Sequence, residues 1–203
     1  MPNWFYFTVN VSGKEKDVEQ FVENVKGSAK YGTQGSDFDF NHFIPQPDNV
    51  YRGDLSMEDK KRLDKEGVPN WYDWNTHNWG TKWNAAIDDV EIGCINGSSH
   101  FAEYRLRTAW ADPRPVLMKM LDMYPDLNFT IEGEEESNSY GIYLSTSENI
   151  YLEEEPQYFD DECGRAVYWS EHTDNVWSWK YVDNDEEVPN QDDFYPESKF
   201  SWT

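Results

Sequence analysis

The chain opens on a run of aromatic and β-branched residues, Trp4-Phe5-Tyr6-Phe7-Thr8-Val9-Asn10-Val11, bounded by Ser12-Gly13, and this pattern predicts a strand. Between Lys14 and Lys26 the apolar residues Val18, Phe21, Val22 and Val25 recur at helical spacing, and Gly27 ends that helix. Phe38 to Ile44 predicts a second strand, stopped by Pro45 and Pro47. Met57 to Glu66 predicts a short charged helix with Ser56 as its N-cap and Gly67 as its stop.

Further along, Ala86 to Gly93 reads as a strand, and Ser99 to Trp110 alternates. Phe101, Tyr104, Leu106 and Thr108 are expected on one face, with Glu103, Arg105 and Arg107 on the other. Asp112-Pro113 opens a helix to about Tyr124 whose apolar stripe is Val116, Leu117, Met120 and Leu121, with Asp112 as the cap. Asn128 to Glu134 and Tyr140 to Ser145 form a hairpin that Ile150 to Glu154 extends. The skeleton is strand, helix, strand, insertion, strand, helix, strand, strand. This order predicts an α+β fold with a ferredoxin-like split βαβ sheet over residues 1–155, carrying an insertion at about 46–98. Residues 156–203 read as an acidic, aromatic-containing C-terminal extension. Within it, Ala166–Ser170 and Val176–Val182 pair as a hairpin packed on the domain as far as about residue 182.

The insertion holds the densest feature of the chain, the block from Trp71 to Ala86. In it Trp71, Trp74, Trp79 and Trp83 are interleaved with Asn, His, Thr and Lys. Such a block could line a pocket, with His77, Asn78 and Lys82 as polar tips in an aromatic bowl suited to a base or a sugar. The expected role is structural: the four indoles plug the insertion onto the sheet, the Asn side chains satisfy loop backbone groups, and Gly80 supplies a backbone shape closed to other residues.

Three segments together resemble a family of bacteriophage and plasmid proteins. They are Pro2-Asn3-Trp4, Phe38-Asp39-Phe40-Asn41-His42-Phe43-Ile44-Pro45 and Asn78-Trp79-Gly80-Thr81-Lys82-Trp83-Asn84. The resemblance covers residues 2–155, and its most specific part is the last string. It implies a mobile-element origin and a ferredoxin-like domain, and it brings no reaction with it.

Charge changes the picture more than composition does. The hydrophobic fraction is only 37%, but 17% of residues are aromatic, enough to build a core. The net charge of −23 is unevenly spread. Residues 1–131 hold 20 acidic and 14 basic residues, whereas residues 132–203 hold 20 acidic residues against Arg165, Lys180 and Lys199. A field of that sign repels nucleic acid and anionic membranes and attracts basic protein surfaces. Direct nucleic-acid binding is therefore not expected. With no signal-like N-terminus and no apolar run of about 20 residues, the chain reads as soluble and cytoplasmic, with no membrane contact.

Candidate chemistry is sparse. Cys94 and Cys163 form no CxxC pair; they either join in one disulfide or, as expected in the cytoplasm, stay reduced. His42, His77, His100 and His172 lack metal-ligand spacing, and Cys94 with His100 makes a nucleophile and base only if the fold joins them. Asp183 to Glu187 resembles a calcium loop but has Val188 and Phe194 where that loop needs Gly and Glu. No catalytic residue, metal or cofactor is expected.

The remaining signal is the acid itself. Glu132, Glu134 and Glu136 alternate on a predicted strand, as do Glu153 and Glu155, with Glu154 between them and Asp160, Asp161 and Glu162 following. Strand residues two apart share a face at about 6.6 Å, near the phosphate spacing along one nucleic-acid strand. These nine residues are the expected partner-binding set. The reading that follows is a phage- or plasmid-encoded inhibitor that mimics DNA or RNA and occupies the basic groove of a host protein, such as a restriction, CRISPR or other defence effector. The alternatives are an interaction module with incidental acidity and a small-ligand binder that uses the Trp-rich block.

Overall fold

A computed structural model of the protein describes residues 3–97, 99–137, 140–146, 166–173 and 176–182, the last two segments by backbone alone. The fold is α+β. Strand β1 (Trp4–Lys14) leads directly into helix α1 (Glu15–Asn24). After a long excursion come β2 (Ala86–Asn96) and β3 (Ser99–Ala109), helix α4 (Arg114–Met123), then β4 (Asn128–Glu135) and β5 (Tyr140–Ser145). Strands β6 (Ala166–Thr173) and β7 (Val176–Val182) complete a seven-stranded sheet of order β2-β3-β1-β4-β5-β7-β6. Every adjacent pair is antiparallel.

Alternation in β1 builds the core. Phe5, Phe7, Val9 and Val11 are buried on one face, joined there by Ala102, Tyr104 and Leu106 of β3, Phe129 and Ile131 of β4, and Ile142 and Leu144 of β5. Helices α1 and α4 cover that face with Val18 and Phe21, and with Val116, Leu117 and Met120. Phe21 stands edge-on to Tyr104, Tyr124 and Phe129 at 6.2, 5.0 and 5.7 Å. Gly133 lies on this face as well. A Cβ there would stand 2.5 Å from Phe7 Cβ and 2.8 Å from the Phe5 ring, so only glycine lets the two phenylalanines close over β4.

The sequence places the excursion at about 46–98, after a strand at 38–44. In the structure it runs from 25 to 85, between α1 and β2, and the 38–44 segment is no strand. Asp39 accepts a hydrogen bond from Asn41 N at 2.9 Å, which folds Phe40–His42 into a 3-10 turn. The apolar side chains of that turn still reach the core, with Phe38, Phe40 and Phe43 all buried. The second core strand is therefore β2, the segment read from sequence as Ala86–Gly93 and three residues longer in the fold.

Two helices lie inside the excursion. Helix α2 (Met57–Glu66) starts at a capping box in which Ser56 Oγ accepts from Asp59 N and Asp59 accepts from Ser56 N, and it ends at Gly67 with φ +66°. Helix α3 (Trp71–Asn78) starts on Asn70, whose side chain accepts from Asp73 N at 3.0 Å and donates to Asp73 Oδ2 at 2.7 Å. The alternation of β3 is out of step with the sequence reading at one place. Phe101 shares a face with Glu103 and Arg105, and its ring lies against Gly93 across the strand pair. At α4 the N-cap is Pro113, while Asp112 Oδ1 accepts from Arg114 N at 3.1 Å.

Beyond residue 146 the hairpin read from sequence is present. β6 is three residues longer than expected, and β7 pairs with β5 from Tyr140↔Lys180 to Leu144↔Val176, so part of the acidic extension continues the sheet. The expected strand at Ile150–Glu154 and the region past Asp183 lie outside the described residues. Among the described residues no helix is long and apolar enough to cross a membrane.

Candidate functional site

The outer face of the sheet carries the charge. Register aligns Arg107, Tyr6 and Glu134 in one row across β3, β1 and β4, and Arg105, Thr8 and Glu132 in the next. Tyr6, Arg105, Glu132 and Glu134 are exposed, and around them the sheet forms a shallow depression of about 650 Å³. The two arginines are neutralised by acids of β2 and β3. Arg107 Nη1 lies 2.7 Å from Asp88 Oδ1, and Arg105 pairs with Glu103 at 2.8 Å and Asp89 at 3.4 Å. Glu132 and Glu134 have no ion-pair partner among the described residues.

The acidic run at 132–136 is not one uniform surface. Glu136 is exposed, and its Oε2 accepts from Trp4 N at 3.0 Å. Glu135 points the other way. It is buried and accepts from Asn3 Nδ2 at 2.5 Å and Ser137 N at 3.0 Å, tying the start of β1 to the end of β4. Of the nine expected partner-binding residues, Glu153, Glu154, Glu155, Asp160, Asp161 and Glu162 lie outside the described residues.

The Trp-rich segment divides by depth. Trp79 is buried, donates Nε1–H to Ile44 O at 2.8 Å, and meets Phe40 and Trp74 edge-on at 5.7 and 5.5 Å. Gly80 follows at φ +80°, and a Cβ there would press to 3.0 Å from Asp112 O. Thr81 Oγ1 donates to Ala109 O at 2.8 Å, and Asn78 Nδ2 to Trp74 O at 2.8 Å. His77 is exposed at the end of α3. The bowl that sequence suggests around His77 and Asn78 is thus not formed: Trp79 and Trp74 face the core, and Asn78 is bonded within its own helix.

The outward-facing members of the segment gather elsewhere. Trp83 lies 6.3 Å from Trp4 and carries the Lys82 ammonium 4.3 Å from its ring. Lys82 Nζ also approaches the Tyr72 ring at 5.7 Å, and Lys60 Nζ approaches the same ring at 4.7 Å. Lys60, Tyr72 and Lys82 line a recess of about 400 Å³ together with Arg52, Asp54 and Trp71. Arg52 and Lys60 come from parts of the chain in which sequence showed no site.

Cys94 and His100 are cross-strand partners in β2 and β3, so the fold does bring them together. Their contacts diverge. The Cys94 thiol donates to Asn96 O at 2.8 Å, while His100 Nε2 lies 3.6 Å from Glu15 Oε1. No hydrogen bond links thiol and imidazole among the described contacts. Cys163 lies outside the described residues, and no group of three or more His, Cys, Asp or Glu among the described residues is placed to hold a metal ion. Comparisons with protein-family models, with curated proteins and with solved structures give no match for this chain.

Proposed function

We propose that this chain is a non-enzymatic inhibitor that occupies the basic groove of a nucleic-acid-binding protein in a host cytoplasm. The observation that carries this reading is the pair Glu132 and Glu134, exposed on the outer face of β4 while both arginines of that face are paired with other acids. Strand geometry spaces the two carboxylates by about 6.6 Å, a repeat of charge that a phosphate-binding groove accepts. Two carboxylates with no paired cation among the described residues, in a chain of net charge −23, cost stability through repulsion, and a basic partner would relieve that cost.

Two finer readings go with it. The order β4-β1-β3-β2, with α1 after β1 and α4 after β3, supports a ferredoxin-like core extended by β5, β7 and β6. The phage or plasmid origin, and with it a restriction, CRISPR or other defence effector as partner, rests on the resemblance of the three sequence segments. Displacement tests the function: a partner bound to this chain should be released by duplex DNA or RNA, and a complex indifferent to both would refute groove occupancy.

A further inference from the structure

The recess beside α2 and α3 concentrates positive charge in a strongly acidic chain. Arg52, Lys60 and Lys82 line it, opposed by Asp54 within the lining and by Asp73 at 3.9 Å from Lys60. Lys82 has no ion-pair partner among the described residues. Both ammonium groups approach one ring, Tyr72, so they lie within about 10 Å of each other, close enough for one bound diphosphate to reach both.

A chain of hydrogen bonds ties the Arg52 guanidinium to the backbone of Lys82. Arg52 Nε donates to Gln46 Oε1 at 2.7 Å, Gln46 Nε2 to Asn75 Oδ1 at 2.8 Å, and Asn75 Nδ2 to Lys82 O at 2.9 Å. Gln46 and Asn75 are buried, and their chain of amides fixes the backbone under Lys82 relative to the Arg52 guanidinium. The wall is pinned as well, since Trp71 Nε1 donates to Gly53 O at 3.1 Å. A recess of about 400 Å³ is in the range of small-ligand sites, roughly 300–1,000 Å³. Its chemistry is that of an anion receptor with aromatic walls.

We propose that this recess binds a small phosphate-bearing ligand with a planar ring, a nucleoside diphosphate being the simplest example, with the phosphates between Lys60 and Lys82 and the ring against Trp71 and Tyr72. The acidity of the rest of the chain does not forbid this. At physiological ionic strength the Debye length is about 8 Å, so the nearest charges decide the local potential.

Calorimetric titration of the full chain with ADP, at physiological salt and without metal, tests the proposal. One saturable site is expected. Lys60→Gln and Lys82→Gln should each weaken it by about tenfold or more, the loss of one charge-assisted contact, while Lys82→Arg stays close to wild type. Adenosine alone and pyrophosphate alone should each bind more weakly than ADP. Absence of saturable binding at about 1 mM ADP would overturn the proposal. So would wild-type affinity in both glutamine variants, provided their thermal unfolding matches the parent. Pyrophosphate binding as tightly as ADP would overturn the assignment of a ring.

Discussion

Asn84 and Asp39, 45 residues apart, hold one turn from two sides. Asn84 Nδ2 donates to Asp39 Oδ1 at 2.7 Å, and Asn84 Oδ1 accepts from Phe40 N at 3.0 Å. The same Asp39 oxygen takes Asn41 N and Asn41 Nδ2, so one buried carboxylate organises the segment. With Trp79 donating to Ile44 O and Trp83 beside Trp4, the 78–84 segment meets both the 38–45 segment and the start of β1. Their joint role is to lock the excursion onto the sheet.

Replacing Asn84 with Ala should therefore destabilise the fold by about 1–3 kcal/mol, the cost of leaving buried polar groups short of a partner. Urea unfolding measures it. A loss under about 0.5 kcal/mol would mean the turn holds its shape without Asn84.

Trp79→Ala should cost about 3–5 kcal/mol, the range for deleting a large buried aromatic side chain. Trp79→Phe should recover much of that, keeping the ring contacts with Phe40 and Trp74 while losing the bond to Ile44 O. Equal losses in the two variants would place the whole contribution in the hydrogen bond.

His42 should give the fold a pH dependence of defined sign. Its Nε2 lies 2.6 Å from Tyr124 Oη, and burial holds its pKa below the ordinary 6.5, against an opposing pull from Asp39. The unfolded chain thus takes up the proton first. The stability contributed by neutral His42 is present above about pH 6.5 and is lost as pH falls from there through the folded pKa. An NMR titration should place the His42 midpoint below 6.5, and a midpoint at or above 6.5 would contradict the burial argument.

What the sequence revealed depended on how local each signal was. Ser56, Asp59 and Gly67 mark helix α2 within a dozen residues, and β3, α4, β4 and β5 follow from their periodicity. The 38–44 segment misled because Phe38 and Phe40, two apart in an aromatic run ended by proline, outweighed Asp39, whose side chain was the true turn signal. Helix α3 was hidden by its aromatic content, although Asn70 three residues before Asp73 is a capping pattern. Glu135 sits between two acids of the expected surface set, and the pleat turns it inward. The recess was invisible because Arg52 and Lys82 are joined only through the Gln46–Asn75 network and Lys60 arrives from α2, a convergence no local pattern encodes.

The most direct measurement of the central claim is the salt dependence of partner binding by the wild-type chain and by Glu132→Lys/Glu134→Lys, using each as bait in a bacterial lysate and then titrating the retained protein. The account predicts binding that weakens steeply as ionic strength rises, competition by duplex DNA, and at least about a tenfold loss in the double variant, since close charge pairs across an interface are worth about 1.5 kcal/mol or more. The variant should unfold at the wild-type temperature or above it, because both side chains are exposed. Wild-type affinity in the reversed chain at physiological salt, or a complex that DNA cannot displace, would contradict it.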